Sequence, residues 1–349
     1  LRPPKFMELN KYNNLLELFN FQFNQQDPNN IFLKSLKTPD NIFTWQKTLD
    51  CIQKLSDELG KYLKKNDRCL LISDNRPEWL ISDLAIMTTK GVTVPAYTTY
   101  TERDYEYLIN DCKPSVIIVS DQFQYDKIDL LIKKNNFIKI VITFEDIKSD
   151  YKKIINIKKI FENEVYKKKD LINLGLERKD LACIIYTSGT QGNPKGVMLS
   201  LGGILNNCEG SYDLLKEIIS SKPKFLTWLP LSHSYEHTVQ FVQIAVGAKV
   251  FYAESIDKLI KNMGECNPDI MTAVPRFYQN LYQKINSSFN KTKGLKKYLI
   301  NKMLSLGEKV LFKNKLSNLE KVQDIICEKL VRKKIKAQFG GSLKLFISG

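Results

Sequence analysis

An α/β fold, in two α/β subdomains with mostly parallel sheets, is what this sequence of 349 residues predicts. Three observations predict it. Short apolar runs such as Arg68–Ser73, Val116–Ser120 and Ile138–Thr143 alternate with longer stretches whose apolar residues recur at helical spacing. Such an alternation builds parallel sheets covered by helices. A loop rich in glycine and hydroxyls follows directly on a further run, Leu181–Ile185, and loops that bind phosphates lie at the carboxyl ends of strands. The length also exceeds what one compact core usually takes.

In chain order, residues 43–65 place Leu49, Ile52, Leu55, Leu59 and Leu63 at helical spacing, with Thr44 as N-cap. Arg68–Ser73 is a strand. Pro77 then sits near the start of a helix that runs through Leu80–Thr89 to Gly91. Val92–Pro95, Val116–Ser120 and Ile138–Thr143 are further strands. Residues 148–169 are rich in lysine and weakly patterned, so they read as an exposed excursion. After the glycine-rich loop, residues 198–219 read as a helix. Phe225–Leu229, Ala248–Tyr252 and Ile270–Ala273 are strands, and Pro275 starts a helix. The result is two α/β units with the loop near their junction. No internal repeat or low-complexity segment interrupts them.

The loop itself reads Tyr-Thr-Ser-Gly-Thr-Gln-Gly-Asn-Pro-Lys-Gly-Val over residues 186–197. Gly189, Gly192 and Gly196 let the backbone turn tightly and point N–H groups inward. Thr187, Ser188 and Thr190 add hydroxyls, and Lys195 adds a mobile positive charge. Successive N–H donors form a nest for an anion, and the natural ligand is a polyphosphate such as that of ATP. The loop is not a Walker A motif, which requires Gly before the Lys and Ser or Thr after it. Here Lys195 stands between Pro194 and Gly196.

This segment resembles the phosphate loop of the adenylate-forming, or AMP-binding, superfamily: acyl-CoA synthetases, luciferases and peptide-synthetase adenylation domains. The resemblance implies that Thr187, Ser188, Gly189, Thr190, Gln191, Gly192 and Lys195 bind ATP phosphates, although Gln191 replaces the family's usual hydroxyl. Trp45, the run Ser73-Asp74-Asn75-Arg76-Pro77-Glu78-Trp79 and Val94-Pro95-Ala96-Tyr97 are similar to the bacterial long-chain fatty acid–CoA ligase branch. Physically the Asn75–Trp79 run reads as a helix N-terminus with a packed Trp. The resemblance covers nearly the whole chain and implies ATP, Mg2+ and coenzyme A as reactants and a fatty acid as substrate, with an aryl- or medium-chain acyl-CoA ligase of the same superfamily, or a catalytically dead acyl- or membrane-binding relative, as the alternatives.

Both histidines of the chain, His233 and His237, follow the strand Phe225–Leu229 within one motif, Leu-Pro-Leu-Ser-His-Ser-Tyr-Glu-His. Two such groups beside Glu236 after a strand point to a site. No Gly-x-Ser-x-Gly elbow accompanies them. By resemblance, His233 lies beside the substrate carboxylate and the α-phosphate as a catalytic donor, with Lys195, and His237 borders the acyl tunnel. Val274-Pro275-Arg276 resembles a motif whose helix borders the acyl channel, against a plain reading of Arg276 as solvated at a helix start. Ser348 and Gly349 resemble the opening of the adenine-binding loop.

Composition narrows the partners. The chain is 43% hydrophobic and 26% charged, which is globular rather than disordered. Its seven cysteines have no metal or redox spacing, so no metal site is expected and a reduced cytoplasm is. No run is long enough to span a membrane. Of the net charge of +15, residues 284–344 hold a surplus of twelve, with sixteen Lys/Arg against four Asp/Glu. There, residues 295–312 and 316–335 form amphipathic basic helices inside an insertion at about 286–340. They read either as packed helices with a solvated lysine face or as a contact for anionic lipid on the inner face of the membrane. Nucleic acid is disfavoured, since aromatics do not interleave with the basic residues. Residues 1–349 read as one large N-terminal AMP-binding domain, incomplete at its C-terminus and without the small C-terminal domain of the family. As a fragment it is expected to turn over little or nothing by itself. Oligomeric state has no signal.

Overall fold

A computed structural model describes residues 8–187, 194–219, 222–312 and 315–348. Its strands in chain order are β1 (Ile31–Ser35), β2 (Ile42–Thr44), β3 (Arg68–Ile72), β4 (Val92–Ala96), β5 (Val116–Val119), β6 (Ile140–Thr143), β7 (Ile154–Asn156), β8 (Leu181–Thr187), β9 (Lys195–Ser200), β10 (Lys224–Thr227), β11 (Lys249–Tyr252), β12 (Ile270–Ala273) and β13 (Leu345–Ser348). The chain divides into two compact units, Leu1–Pro223 with Thr227–Tyr252, and Lys224–Leu226 with Ala253–Gly349. The fold is α/β with mostly parallel sheets, as the alternation of runs predicts.

The first unit holds a seven-stranded sheet in the order β7-β6-β5-β3-β4-β8-β9. Pairing is parallel except for the final hairpin of β8 and β9. Cys69, Leu70, Leu71 and Ile72 of β3 are all fully buried, as a central parallel strand covered on both faces requires. The chain runs from β3 to β4 on one side and then crosses to β5 on the other. The carboxyl end of β3, where residues 73–76 lie, is thus a point of strand-order reversal, the usual place for a ligand in an open α/β sheet. In the same unit β1 pairs antiparallel with β2 and parallel with β11.

Helix starts follow local chemistry. Thr44 caps Trp45–Leu59 by accepting from the Lys47 N–H, and Thr101 and Asp104 form a reciprocal capping box at Glu102–Cys112. Pro77 stands at the first turn of Pro77–Thr88, where its missing N–H costs no hydrogen bond.

The second unit has β12 between β10 and β13, all parallel. Its helices Gly294–Leu311, Asn318–Cys327 and Lys333–Gln338 enclose a small core of Ile300, Met303, Leu306, Cys327 and Val331. On the Asn318–Cys327 helix and the turn after it, Leu319, Val322, Ile326 and Leu330 form an exposed stripe at helical spacing.

Four expectations need correction. The helix read over 198–219 is Leu201–Leu215, because residues 195–200 instead pair along β8 as the return strand of a hairpin. The helix read over 43–65 is Trp45–Leu59, because Phe43 belongs to β2 and Leu63 is buried beyond the helix end. Residues 148–169 are not a free excursion. β7 adds to the sheet beside β6, and the Gln53 amide exchanges bonds of 2.9 and 2.8 Å with the Lys169 backbone. The glycine-rich loop lies within the first unit rather than at a junction, since β11 ties residues up to Tyr252 back to β1.

Candidate active site

The loop read as phosphate-binding closes a β-hairpin. Thr187 and Lys195 pair directly across its mouth, and both are exposed. Ser188, Gly189, Thr190, Gln191 and Gly192 lie outside the described residues. Two side chains of the Glu102–Cys112 helix, one turn apart, hold the two stems. The Tyr107 hydroxyl donates to the Pro194 carbonyl at 3.0 Å, and the Tyr186 hydroxyl donates to Asp111. Burial, then the Asp111 carboxylate, pushes the Tyr186 phenol well above its ordinary pKa, so it remains a donor. Gly196 is required by close approach. A Cβ there would lie 2.8 Å from Ile184 and 3.3 Å from the Tyr186 ring. Lys195 has no carboxylate partner among the described residues, so its ammonium remains available to an anion.

His233 caps the helix Ser234–Ala245. Its Nδ1 accepts from the Tyr235 N–H at 3.2 Å, and its carbonyl accepts from the His237 N–H at 2.9 Å. An imidazole that accepts at Nδ1 carries its proton on Nε2 when neutral. The exposed His233 ring therefore offers an Nε2–H donor outward. Upstream, the loop Leu229–Ser232 is held by Asn75. Its Nδ2 donates to the Leu229 carbonyl at 2.6 Å and its Oδ1 accepts from the Leu231 N–H at 3.0 Å. The loop carrying Asn75 is fixed by Arg76, which bonds Asp74 at 3.1 Å and Glu145 at 2.9 Å and lies near the Phe144 ring.

His237 lies in the interior and not at an opening. It is 2% exposed, and its Nε2 is 2.7 Å from the Asp83 carboxylate, itself 1% exposed. Asp83 also accepts from Thr93 at 2.6 Å. The His237 ring packs edge-on against Trp79, centroids 5.2 Å apart, and lies 5.6 Å from Phe241. Burial alone would lower its pKa. The Asp83 and Cys183 groups overcome this and hold it well above the ordinary value. The ring thus has no exposed surface in this structure, and its bond to Asp83 ties the helix that His233 caps to the Pro77–Thr88 helix.

In the second unit Arg276 and Ser348 stand at the carboxyl ends of adjacent parallel strands. Ala273, just before Val274-Pro275-Arg276, pairs with Ser348. Both side chains are exposed, Arg276 on the first turn of Pro275–Asn290. Gly349 lies outside the described residues. Among the described residues no group of three or more His, Cys, Asp or Glu could hold a metal ion. All seven cysteines are free and buried.

The sequence profile described as "AMP-binding enzyme" matches residues 21–347, nearly the whole chain. The chain belongs to the AMP-binding enzyme family. Long chain acyl-CoA synthetase 3 of Arabidopsis thaliana is 27% identical over 93% of this chain and 51% of its own length. Long-chain-fatty-acid–CoA ligase 5 of Rattus norvegicus is 32% identical over 80% of this chain and 41% of its own. Among solved structures, the inhibitor-bound N-terminal domain of FACL13 from Mycobacterium tuberculosis superposes with a TM-score of 0.66 at 18% identity, covering 78% of this chain and 65% of that one. The chain thus spans about half the length of the curated relatives it matches.

For this AMP-binding enzyme, sequence reasoning finds the loop and the histidine motif but misses the residues that hold them. Tyr107 and Asp111 give no signal, because their partners are 87 and 75 residues away. Asn75 stands in a visible run, yet its role as a backbone clamp is legible only from the fold.

Proposed function

We propose that the whole protein is a long-chain fatty acid–CoA ligase. The carboxylate of a fatty acid attacks the α-phosphorus of ATP, pyrophosphate leaves, and the acyl-adenylate is then attacked by the thiolate of coenzyme A with release of AMP. The paired hairpin mouth of Thr187 and Lys195 carries this reading, since a lysine without a carboxylate partner among the described residues is in register with a hydroxyl-bearing residue at the two ends of a glycine-rich segment. Lys195, Thr187 and the loop between them take the β- and γ-phosphates. His233 donates from Nε2 to an α-phosphate oxygen as charge builds on it, a donor already oriented by its cap bond. Arg276 borders the acyl group and Ser348 the adenine. Mg2+, when bound with ATP, would neutralise phosphate charge; no cluster of three or more His, Cys, Asp or Glu stands among the described residues, and one or two carboxylates with the phosphates would suffice to hold it. The names of the relatives support the long-chain substrate.

The free thiols support a reducing, cytoplasmic setting. No described helix is long and apolar enough to cross a membrane. The exposed stripe Leu319–Leu330 beside Lys329, Lys333 and Lys334 supports peripheral contact with anionic lipid.

Pyrophosphate exchange in the whole protein tests the central claim. Lys195→Ala should lower exchange about 10²-fold, the usual cost of one preorganised charge-stabilising group, and leave fatty-acid binding unchanged. Undiminished exchange removes the loop from the mechanism.

A further inference from the structure

Residues 229–233 cross from the end of a strand to the first turn of a helix, and such a crossing has no ladder of its own. Pro230 sits in its middle and has no N–H to offer. The carbonyl of Leu229 and the N–H of Leu231 point to the same side, as groups two apart do in extended chain. A single primary amide meets both. Asn75 donates to one at 2.6 Å and accepts from the other at 3.0 Å, so its side chain substitutes for the peptide group of a missing neighbouring strand. The next bond in the series belongs to His233, whose N–H donates to the Pro230 carbonyl at 3.0 Å.

The same element grips the motif again downstream. Trp79 and Asp83 are spaced by four on one face of the Pro77–Thr88 helix, and Asn75 stands in the extended residues just before its N-cap, Arg76. Trp79 packs on the His237 ring and Asp83 bonds its Nε2 at 2.7 Å. The His237 N–H in turn donates to the His233 carbonyl at 2.9 Å. The backbone of His233 is therefore tied on both sides to groups held by residues 75–83.

We propose that Asn75 is a positioning residue for His233: its amide sets the loop that aims the imidazole Nε2–H. The proposal rests on the reading of His233 as the donor in adenylation. Asn75 itself touches no reactant. Aspartate at this position keeps the size and the acceptor for Leu231 but removes the donor and turns an oxygen toward the Leu229 carbonyl. Alanine removes both bonds.

The test is a double-mutant cycle in the whole protein, read as single-turnover acyl-adenylate formation with saturating ATP and fatty acid. Asn75→Asp and Asn75→Ala should each slow adenylation about 10–100-fold, the scale set by a misplacement of about 1 Å, with ATP and fatty-acid dissociation constants within about twofold. In a His233→Ala background the same substitutions should cost less than about twofold more, because nothing remains to be aimed. Equal factors in both backgrounds would overturn the proposal, because they show that Asn75 acts through stability or local charge. An undiminished rate in Asn75→Asp would overturn it as well, and this isosteric variant keeps the test decisive where Asn75→Ala does not fold. If His233→Ala itself leaves adenylation unchanged, the reading of His233 falls first and the proposal falls with it. If His233→Ala is slow while the Asn75 variants are not, only the role of Asn75 is lost.

Discussion

The pair formed by His237 and Asp83 links stability of the first unit to pH. Both side chains are buried, at 2% and 1% exposure, and 2.7 Å apart. Burial opposes the imidazolium, but Asp83 and Cys183 outweigh it and raise the pKa from the ordinary 6.5 to about 10. The folded chain therefore holds a proton that the unfolded chain releases near pH 6.5. The corresponding stability is complete below that pH and is lost as pH rises through the folded value. With those two values the contribution is about 4 kcal/mol at pH 7 and about 1 kcal/mol at pH 9. Asp83→Asn keeps the shape and the bond from Thr93 but removes the charge that raises the histidine. The absolute difference between the two proteins also contains the desolvation of the carboxylate, which works the other way. The change in that difference between the two pH values isolates the imidazole proton. Urea denaturation at pH 7 and pH 9 should show the gap between wild type and Asp83→Asn shrinking by about 2–3 kcal/mol. A gap that stays constant, or widens at pH 9, would show that His237 is neutral in the fold and that the pair is an ordinary buried hydrogen bond.

Two further outcomes follow from the hairpin and from the basic helices. Tyr107→Phe removes the bond to the Pro194 carbonyl while keeping the ring against Tyr186, so it should cost about 1 kcal/mol in stability and raise the KM for ATP several-fold without moving that for fatty acid; an unchanged KM for ATP would detach this helix from the loop. Residues 294–338 should carry the protein onto anionic vesicles at low salt and release it at high salt, and Lys329→Ala with Lys333→Ala and Lys334→Ala should weaken binding by about 1 kcal/mol per lysine; equal sedimentation with neutral vesicles would leave these helices a packing role alone.

What the sequence made legible is what depends on neighbours in the chain. Short apolar runs mark β3, β5, β6 and β12, because strands buried on both faces must be apolar at every position. Thr44 and Pro77 mark helix starts because capping is local. The hairpin strand β9 escaped, because Val197 and Met198 are exposed on a sheet edge and give no period-two contrast. β1 and β2 escaped because they are short and β1 finds its parallel partner in β11, more than 200 residues away. At the site, residue types were readable and attachments were not. Lys195 and His233 are visible by chemistry, whereas Asn75 bonds a backbone 154 residues ahead of it, and any backbone offers the same groups.

One attachment did leave a trace. Pro77–Thr88 is buried at every position but Glu78, so no polar face advertises which way it packs. Asp83 stands in that helix among Leu80, Ile81, Leu84 and Ile86. A carboxylate in such a setting is costly unless it is paired and hydrogen-bonded. The chain has two histidines, and His233 is taken up by capping its own helix. Pairing Asp83 with His237 brings the helix after β3 against the helix after β10. The buried charge is thus a demand for a partner that His237 meets, whereas Asn75, in the extended residues before the helix, reveals its clamp on Leu229 and Leu231 only in the fold.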